Sequence, residues 1–358
     1  MPARHLWRRL MSGRLDRRRF LLTSAGLATA GGATLLAGCP ERPSTDPPGG
    51  TPSAGGAGET VGTAGKVGAN RLVDHPTPDV QAVIARGASR AAMVKTAVDA
   101  YGGMGAFVKG GDRVLIKPNI GWAMGPEMGV NAHPEIVAAV VKLCKEAGAT
   151  EILIGEHSCD KWAAVKEISG LPEAAEAAGA HVLGWGNDDR LYQEVDFPDG
   201  KSTRSDLVAK DLLECDVLIN IPKFKHHSAT GICGAMKNQM GVILRPQSYH
   251  QTPDPTRGDP NLHVNIADLA SAVRPTLNIV DVTNCCVSGG PKGGPGAEVK
   301  DFGTVIVSAD IVACDALGTE VLGICRVEEV PHIRIAADER KLGALLKADS
   351  SAVKTIVA

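Results

Sequence analysis

Six short runs rich in Val, Ile and Leu recur along the chain: RVLIKPN (113–119), EILIGE (151–156), HVLGW (181–185), DVLINI (216–221), TLNIVDV (276–282) and GTVIVSA (303–309). Segments of helical period lie between them. His133-Pro134-Glu135 opens one, with proline in the first turn, an apolar stripe of Ile136, Val137, Val140, Val141 and Cys144, and Gly148 closing it. Further helices are predicted around 89–100, at 163–179, up to Glu214, from Thr230, at 263–273 and over IVACDALGTEVLG (311–323). Strands that alternate with helices and are apolar on both faces predict an α/β fold with a largely parallel, mixed sheet covered by helices on both sides. The polar stretch 187–206 reads as a hairpin or loop insertion, and the last residues as a short helix and a terminal strand.

Of the 358 residues, 44% are hydrophobic but only 3% aromatic, so the core has to be filled by aliphatic side chains. The first 39 residues read as an address. Asp16-Arg17-Arg18-Arg19-Phe20-Leu21 fits the twin-arginine pattern, and the glycine-diluted apolar segment behind it ends in Leu36-Ala37-Gly38-Cys39, a lipobox with Cys39 as the lipidated residue. A membrane-spanning signal anchor is the alternative. Residues 40–70 are a Pro/Gly/Ser/Thr tether, followed by the folded domain from 71 to 358. These features place the protein in the cell envelope, exported folded and anchored to the membrane through Cys39. Cleavage there leaves 31 basic and 39 acidic residues, a formal charge of about −8, which speaks against nucleic acid as a partner.

In parallel sheets ligands bind beyond the carboxyl ends of the strands. Five of the predicted strands end in unusual polar groups: Lys117-Pro118-Asn119, Glu156-His157-Ser158-Cys159-Asp160, Lys223 with Lys225, Asp281, and Asp310. Gathered on one rim, they would form a basic pocket. The densest stretch is IPKFKHHSATGICGAMKNQMG (221–241). A helix from Thr230, capped by Ser228 or Thr230, would direct its free amides at an anion flanked by Lys223, Lys225 and Lys237, with Ile232, Met236 and Met240 as its buried stripe. His227 is the candidate acid/base group or metal ligand, Lys117 and Lys237 are further catalytic candidates, and Asn119 and Asn238 join Lys223 and Lys225 as substrate-binding candidates.

No HxH or HxxxH pair occurs, so a metal site would have to combine distant groups such as His227, Asp281, Asp310, Cys159 and Cys233, with His157, His250 and His263 as further partners. No CxxC occurs either, which argues against a ferredoxin-type cluster module in this chain. Cys144, Cys215, Cys314 and Cys325 read as core fillers, whereas disulfides and thiolate ligands stay open for Cys159, Cys233, Cys285 and Cys286. The run from Ser288 to Gly296 is too glycine-rich for a strand and lacks the P-loop order; it reads as a lid over the rim or as a plain linker.

VLIKPN, the helix ending EAGA, DVLINIPKFKHH with TG and AMKNQMG, LNIVDV followed by GGP, and SADIVACDALG together resemble the bacterial and archaeal family called domain of unknown function 362, over roughly 110–325. The resemblance implies Lys117, Asn119, Lys223, Lys225, His227, Lys237, Asn238, Asp281, Asp310 and Asp315 as family positions. Some relatives carry a ferredoxin module, which implies redox chemistry and a redox partner protein, with a metal or iron–sulfur group as the cofactor. Two functions are expected from this sequence: an extracytoplasmic enzyme or cofactor-dependent redox protein acting on an anionic small molecule, or a non-catalytic lipoprotein that binds an anion or docks on a partner.

Overall fold

The computed structural model describes residues 79–252 and 261–358 together with Leu72. The twin-arginine segment, Cys39 and the tether lie outside the described residues. The strands are β1 (Ala82–Arg86), β2 (Arg113–Pro118), β3 (Glu151–Glu156), β4 (His181–Gly184), β5 (Tyr192–Asp196), β6 (Ser205–Ala209), β7 (Val217–Ile221), β8 (Lys225–His227), β9 (Gly231–Cys233), β10 (Leu277–Ser288), β11 (Glu298–Ser308) and β12 (Val353–Val357). The helices are α1 (Arg90–Ala100), α2 (Pro134–Glu146), α3 (Trp162–Ile168), α4 (Leu171–Ala178), α5 (Lys210–Glu214), α6 (Ala235–Asn238), α7 (Leu262–Ala272), α8 (Ile311–Leu322) and α9 (Pro331–Arg334).

Eight strands form one sheet in the order β12-β1-β11-β10-β7-β2-β3-β4. Only β11 runs against the others, antiparallel to both β1 and β10. The architecture is therefore α/β with a mixed, largely parallel sheet, as the alternation of runs predicts. Successive strand residues face opposite layers. Val114 and Ile116 enter one core with α1, α2 and α4, while Leu115 enters the other with α6, α7 and α8. Burial of the α2 stripe, whose Ile136, Val137, Val140 and Val141 are fully covered, contributes about 1.5–3 kcal/mol per side chain. Helix α2 starts where the sequence places it: His133 Nδ1 accepts the Glu135 amide at 3.3 Å and Pro134 occupies the first turn.

Four expectations need correction. The stretch 163–179 is two helices, because Gly170 at φ 66° breaks the chain between α3 and α4. No helix begins at Thr230: residues 225–233 form the hairpin β8–β9, in which Gly231 takes φ 77°, and α6 starts only after Gly234. The strands at 276–282 and 303–309 are longer, over 277–288 and 298–308, and the glycine-rich segment is the turn that joins them. A further strand, β1, lies between β11 and β12.

Candidate functional site

Beyond the carboxyl ends of β2, β3 and β7 lies a cavity of about 840 Å³. Asn119, Lys223, Lys225, His227, Lys237, Asn238, Cys159 and Cys233 all line it, so most of the sequence-derived candidates do converge. Trp122, Arg245 and His250 line it too. Lys117 stands behind the floor, and Asp281 and Asp310 are absent from the wall.

The floor is built from the strand ends. Lys117 continues the face of β2 that carries Leu115, so it enters the layer of α6. There its ammonium lies 3.0 Å from Glu156 Oε2 and donates to Pro118 O at 2.8 Å and Asn238 Oδ1 at 3.3 Å, with both members of the ion pair buried. Burial drives the Lys117 pKa down and the Glu156 pKa up, and the pair opposes both shifts. The Ile120 amide also donates to Glu156 Oε2, at 3.0 Å, which favours the carboxylate. A side chain at Gly241 would collide with Glu156 Oε1 and the Lys117 tip, so glycine is what lets the chain cross this pair. Both amide hydrogens of Asn238 are used, on Lys117 O and Asn220 Oδ1, and its oxygen receives Lys117. Lys117 and Asn238 therefore hold α6 on the sheet, Lys117 from behind the floor and Asn238 from the cavity wall.

Lys223 extends β7 beside β10, bridged to Asp281. Its Nζ lies 2.9 Å from Asp281 Oδ1, both side chains wholly buried, yet it lacks an aligned hydrogen bond, so the contact is an ion pair of poor directionality. Asp281 is otherwise saturated by the Thr283 amide at 2.9 Å, the Thr283 hydroxyl at 2.6 Å and the His133 amide at 2.8 Å. Burial pushes its pKa up, but Lys223 and these hydrogen bonds outweigh that and hold it below the usual carboxylate range.

Lys225 and Lys237 are different. Lys225 is 1% exposed; its ammonium donates to Val130 O and lies 5.9 Å from the Trp122 ring centre. Lys237 is half-buried, with its ammonium 3.3 Å from Met240 sulfur. Among the described residues neither forms a salt bridge. Burial lowers both pKa values, against a small opposing pull from the Cys233 and Cys159 thiols. His227 Nδ1 accepts the Ala229 amide at 3.0 Å, which assigns its proton to Nε2, and its ring stacks on His250 at 5.9 Å. Burial, reinforced by Lys237, depresses its pKa to about 2, and His250 falls to about 4 for the same two reasons. Both rings are neutral donors at physiological pH. The Cys159 side chain is exposed at the cavity, and its thiol pKa is raised rather than lowered, so it stays protonated.

Three site expectations fail on geometry. The first amides of α6, those of Ala235 and Met236, donate to the Asp315 carboxylate, so that helix end is occupied by the protein itself. Asp310 sits at the opposite edge of the sheet because β11 runs backwards; its Oδ1 caps α8 through the Val312 and Ala313 amides at 2.8 and 2.9 Å. A metal site of His227, Asp281, Asp310, Cys159 and Cys233 is not assembled, since both carboxylates are committed elsewhere, and among the described residues no three His, Cys, Asp or Glu side chains come together to hold an ion. The eight described cysteines are free thiols. His226 is a structural group, its Nδ1 accepting the Gly290 amide at 3.1 Å. Trp122 was not a sequence candidate, although it is one of four tryptophans and follows the KPN strand end by three residues. The glycine-rich turn does reach the rim: Pro291 lines the cavity, and Lys292 pairs with Asp160 at 2.9 Å and lies 5.6 Å from the Trp122 ring centre.

Among solved structures, the lactate racemase apoprotein of Thermoanaerobacterium thermosaccharolyticum aligns at 12% identity and a TM-score of 0.40, over 65% of this chain and 55% of that one. A Thermotoga maritima protein aligns at 11% identity and a TM-score of 0.37, over 69% and 59%. The chain thus spans little more than half of either. A thylakoid-associated protein of Synechocystis sp. is 29% identical over 255 residues, which cover 70% of this chain and 74% of that protein. Residues 114–320, which include every strand end that builds the cavity, match one family along their whole length, and the chain belongs to it: the domain of unknown function (DUF362).

Proposed function

We propose that the cavity binds an anionic small molecule and performs acid–base chemistry on it. The observation that carries this reading is the pair Lys225 and Lys237, one buried and one half-buried, whose ammonium groups line one cavity and form no salt bridge among the described residues. Burying a charge without a partner is costly, and a bound anion removes that cost. Lys225, fixed by Val130 O and Trp122, is suited to anchor the anion. Lys237, whose pKa burial lowers, is suited to exchange a proton with the ligand, and His227 offers a fixed Nε2–H donor to an oxygen that gains charge. Asn119, whose side chain makes no hydrogen bond among the described residues, completes the polar wall.

The test is mass spectrometry of small molecules released from natively purified protein. An acidic compound enriched in the wild type and absent from Lys225→Met supports the reading; no enriched anion defeats it. Once that compound is known, His227→Ala separates the two functional classes. A catalyst loses turnover and keeps binding, whereas a binding lipoprotein has no turnover to lose. Anchoring through Cys39 outside the cytoplasm belongs to the same proposal and is checked by fatty-acid labelling of wild type and Cys39→Ala.

A further inference from the structure

Four lysines approach this site, and their charges are not balanced alike. Lys117 has Glu156 and Lys223 has Asp281, each at ion-pair distance. The remaining acidic group at the cavity mouth, Asp160, is paired with Lys292. Lys225 and Lys237 are left with two positive charges and no negative one among the described residues. Among the described residues nothing else on the wall supplies it. Glu156 is bound to Lys117, the thiol of Cys159 is protonated, and His227 and His250 are neutral donors.

The two ammonium groups are also held separately. Lys225 stands opposite Cys233 in the β8–β9 hairpin, whereas Lys237 lies on the separate helix α6. Each has its own fixed neighbour, Val130 O and Trp122 for one, Met240 sulfur for the other. A monoanion neutralises one of them and leaves the second without a counter-charge. From this juxtaposition, and resting on the anion-binding reading above, we infer that the ligand is a small-molecule dianion that meets Lys225 and Lys237 together. The cavity of about 840 Å³ is large enough for a compound well beyond the size of a simple inorganic ion.

Calorimetric titration of the purified full chain at neutral pH tests this with three sets of probes: inorganic phosphate, straight-chain dicarboxylates from malonate to adipate, and the monoanions acetate and butyrate. The expected result is that a dianion binds at least about tenfold more tightly than any monoanion, and that this preference falls to about onefold in both Lys225→Met and Lys237→Met. Phosphate as the tightest probe assigns both charges to one group; a dicarboxylate as the tightest assigns them to two. Monoanions binding as tightly as dianions, or either variant keeping the full preference, overturns the inference and leaves an anion site standing. No binding in any arm overturns the anion site as well. The comparison within the wild type does not depend on the variants folding. Thermal melting of each variant is nevertheless expected at or above the wild-type midpoint, since an unpaired buried charge has been removed.

Discussion

Lys223 and Lys225 are two residues apart, equally buried at 1% exposure, and serve opposite ends. Lys223 meets a carboxylate that the chain itself delivers from β10, so its charge is spent on joining β7 to β10. Lys225 meets a backbone carbonyl and an aromatic ring, neither of which cancels a full charge. Lys117 belongs with the first and Lys237 with the second. Under the proposed function, burial alone does not mark a ligand-binding lysine; the absence of an internal counter-charge does.

The largest effect that would break this comparison is on stability. Lys223→Met leaves Asp281 buried beside an apolar tip and is expected to destabilise the fold by about 3–5 kcal/mol, measured by denaturant unfolding. A change as small as that expected for Lys225→Met would show that the two lysines are not different in kind. Acid sensitivity comes next. The unfolded chain protonates its histidines near pH 6.5, whereas folded His227 does so only at about 2, so the unfolded state holds the extra proton between those values. Stability from this residue is complete above pH 6.5 and declines as pH falls through the window, by about 1.4 kcal/mol per pH unit. His227→Asn is expected to flatten the stability profile between pH 6 and 4 by about that slope; an unchanged profile would mean that His227 is not held neutral beside Lys237. The smallest effect is at the far edge of the sheet. Asp310→Ala removes the cap of α8 and is expected to cost about 1–2 kcal/mol while leaving anion binding intact. Loss of binding in that variant would contradict its placement away from the cavity.

Most of the sheet was legible because its strands are continuous aliphatic runs bounded by Gly, Pro and charged residues, and helix α2 because Pro134, its stripe and Gly148 agree. The hairpin at 225–233 was hidden by coincidence. Ile232, Met236 and Met240 have helical spacing, but the first belongs to a strand and the third to a separate turn, and backbone pairing with Lys225 and His227 overrode the pattern. The direction of β11 was hidden as well. The predicted strands end at 282 and resume at 303, which leaves room for a parallel crossover; only their extension to Ser288 and Glu298 leaves a turn too short for one, which requires an antiparallel return and moves Asp310 to the other edge. What could not be read was the pairing of charges. Lys117 with Glu156 and Lys223 with Asp281 are separated by 39 and 58 positions, and only the assembled sheet shows which lysines are already spoken for.

The reversed strand has one more consequence. Because β11 returns against β10, the segment joining them emerges at the cavity mouth, unlike the helical crossovers, whose length is tied to spanning a layer of the domain. Its size can change by insertion or deletion without shifting any helix, so the mouth can be reshaped for bulkier or smaller compounds while the charged floor keeps its geometry. Divergence in what such proteins admit is expected to concentrate at 289–297, and grafting that turn between homologues is the direct way to exchange their selectivity.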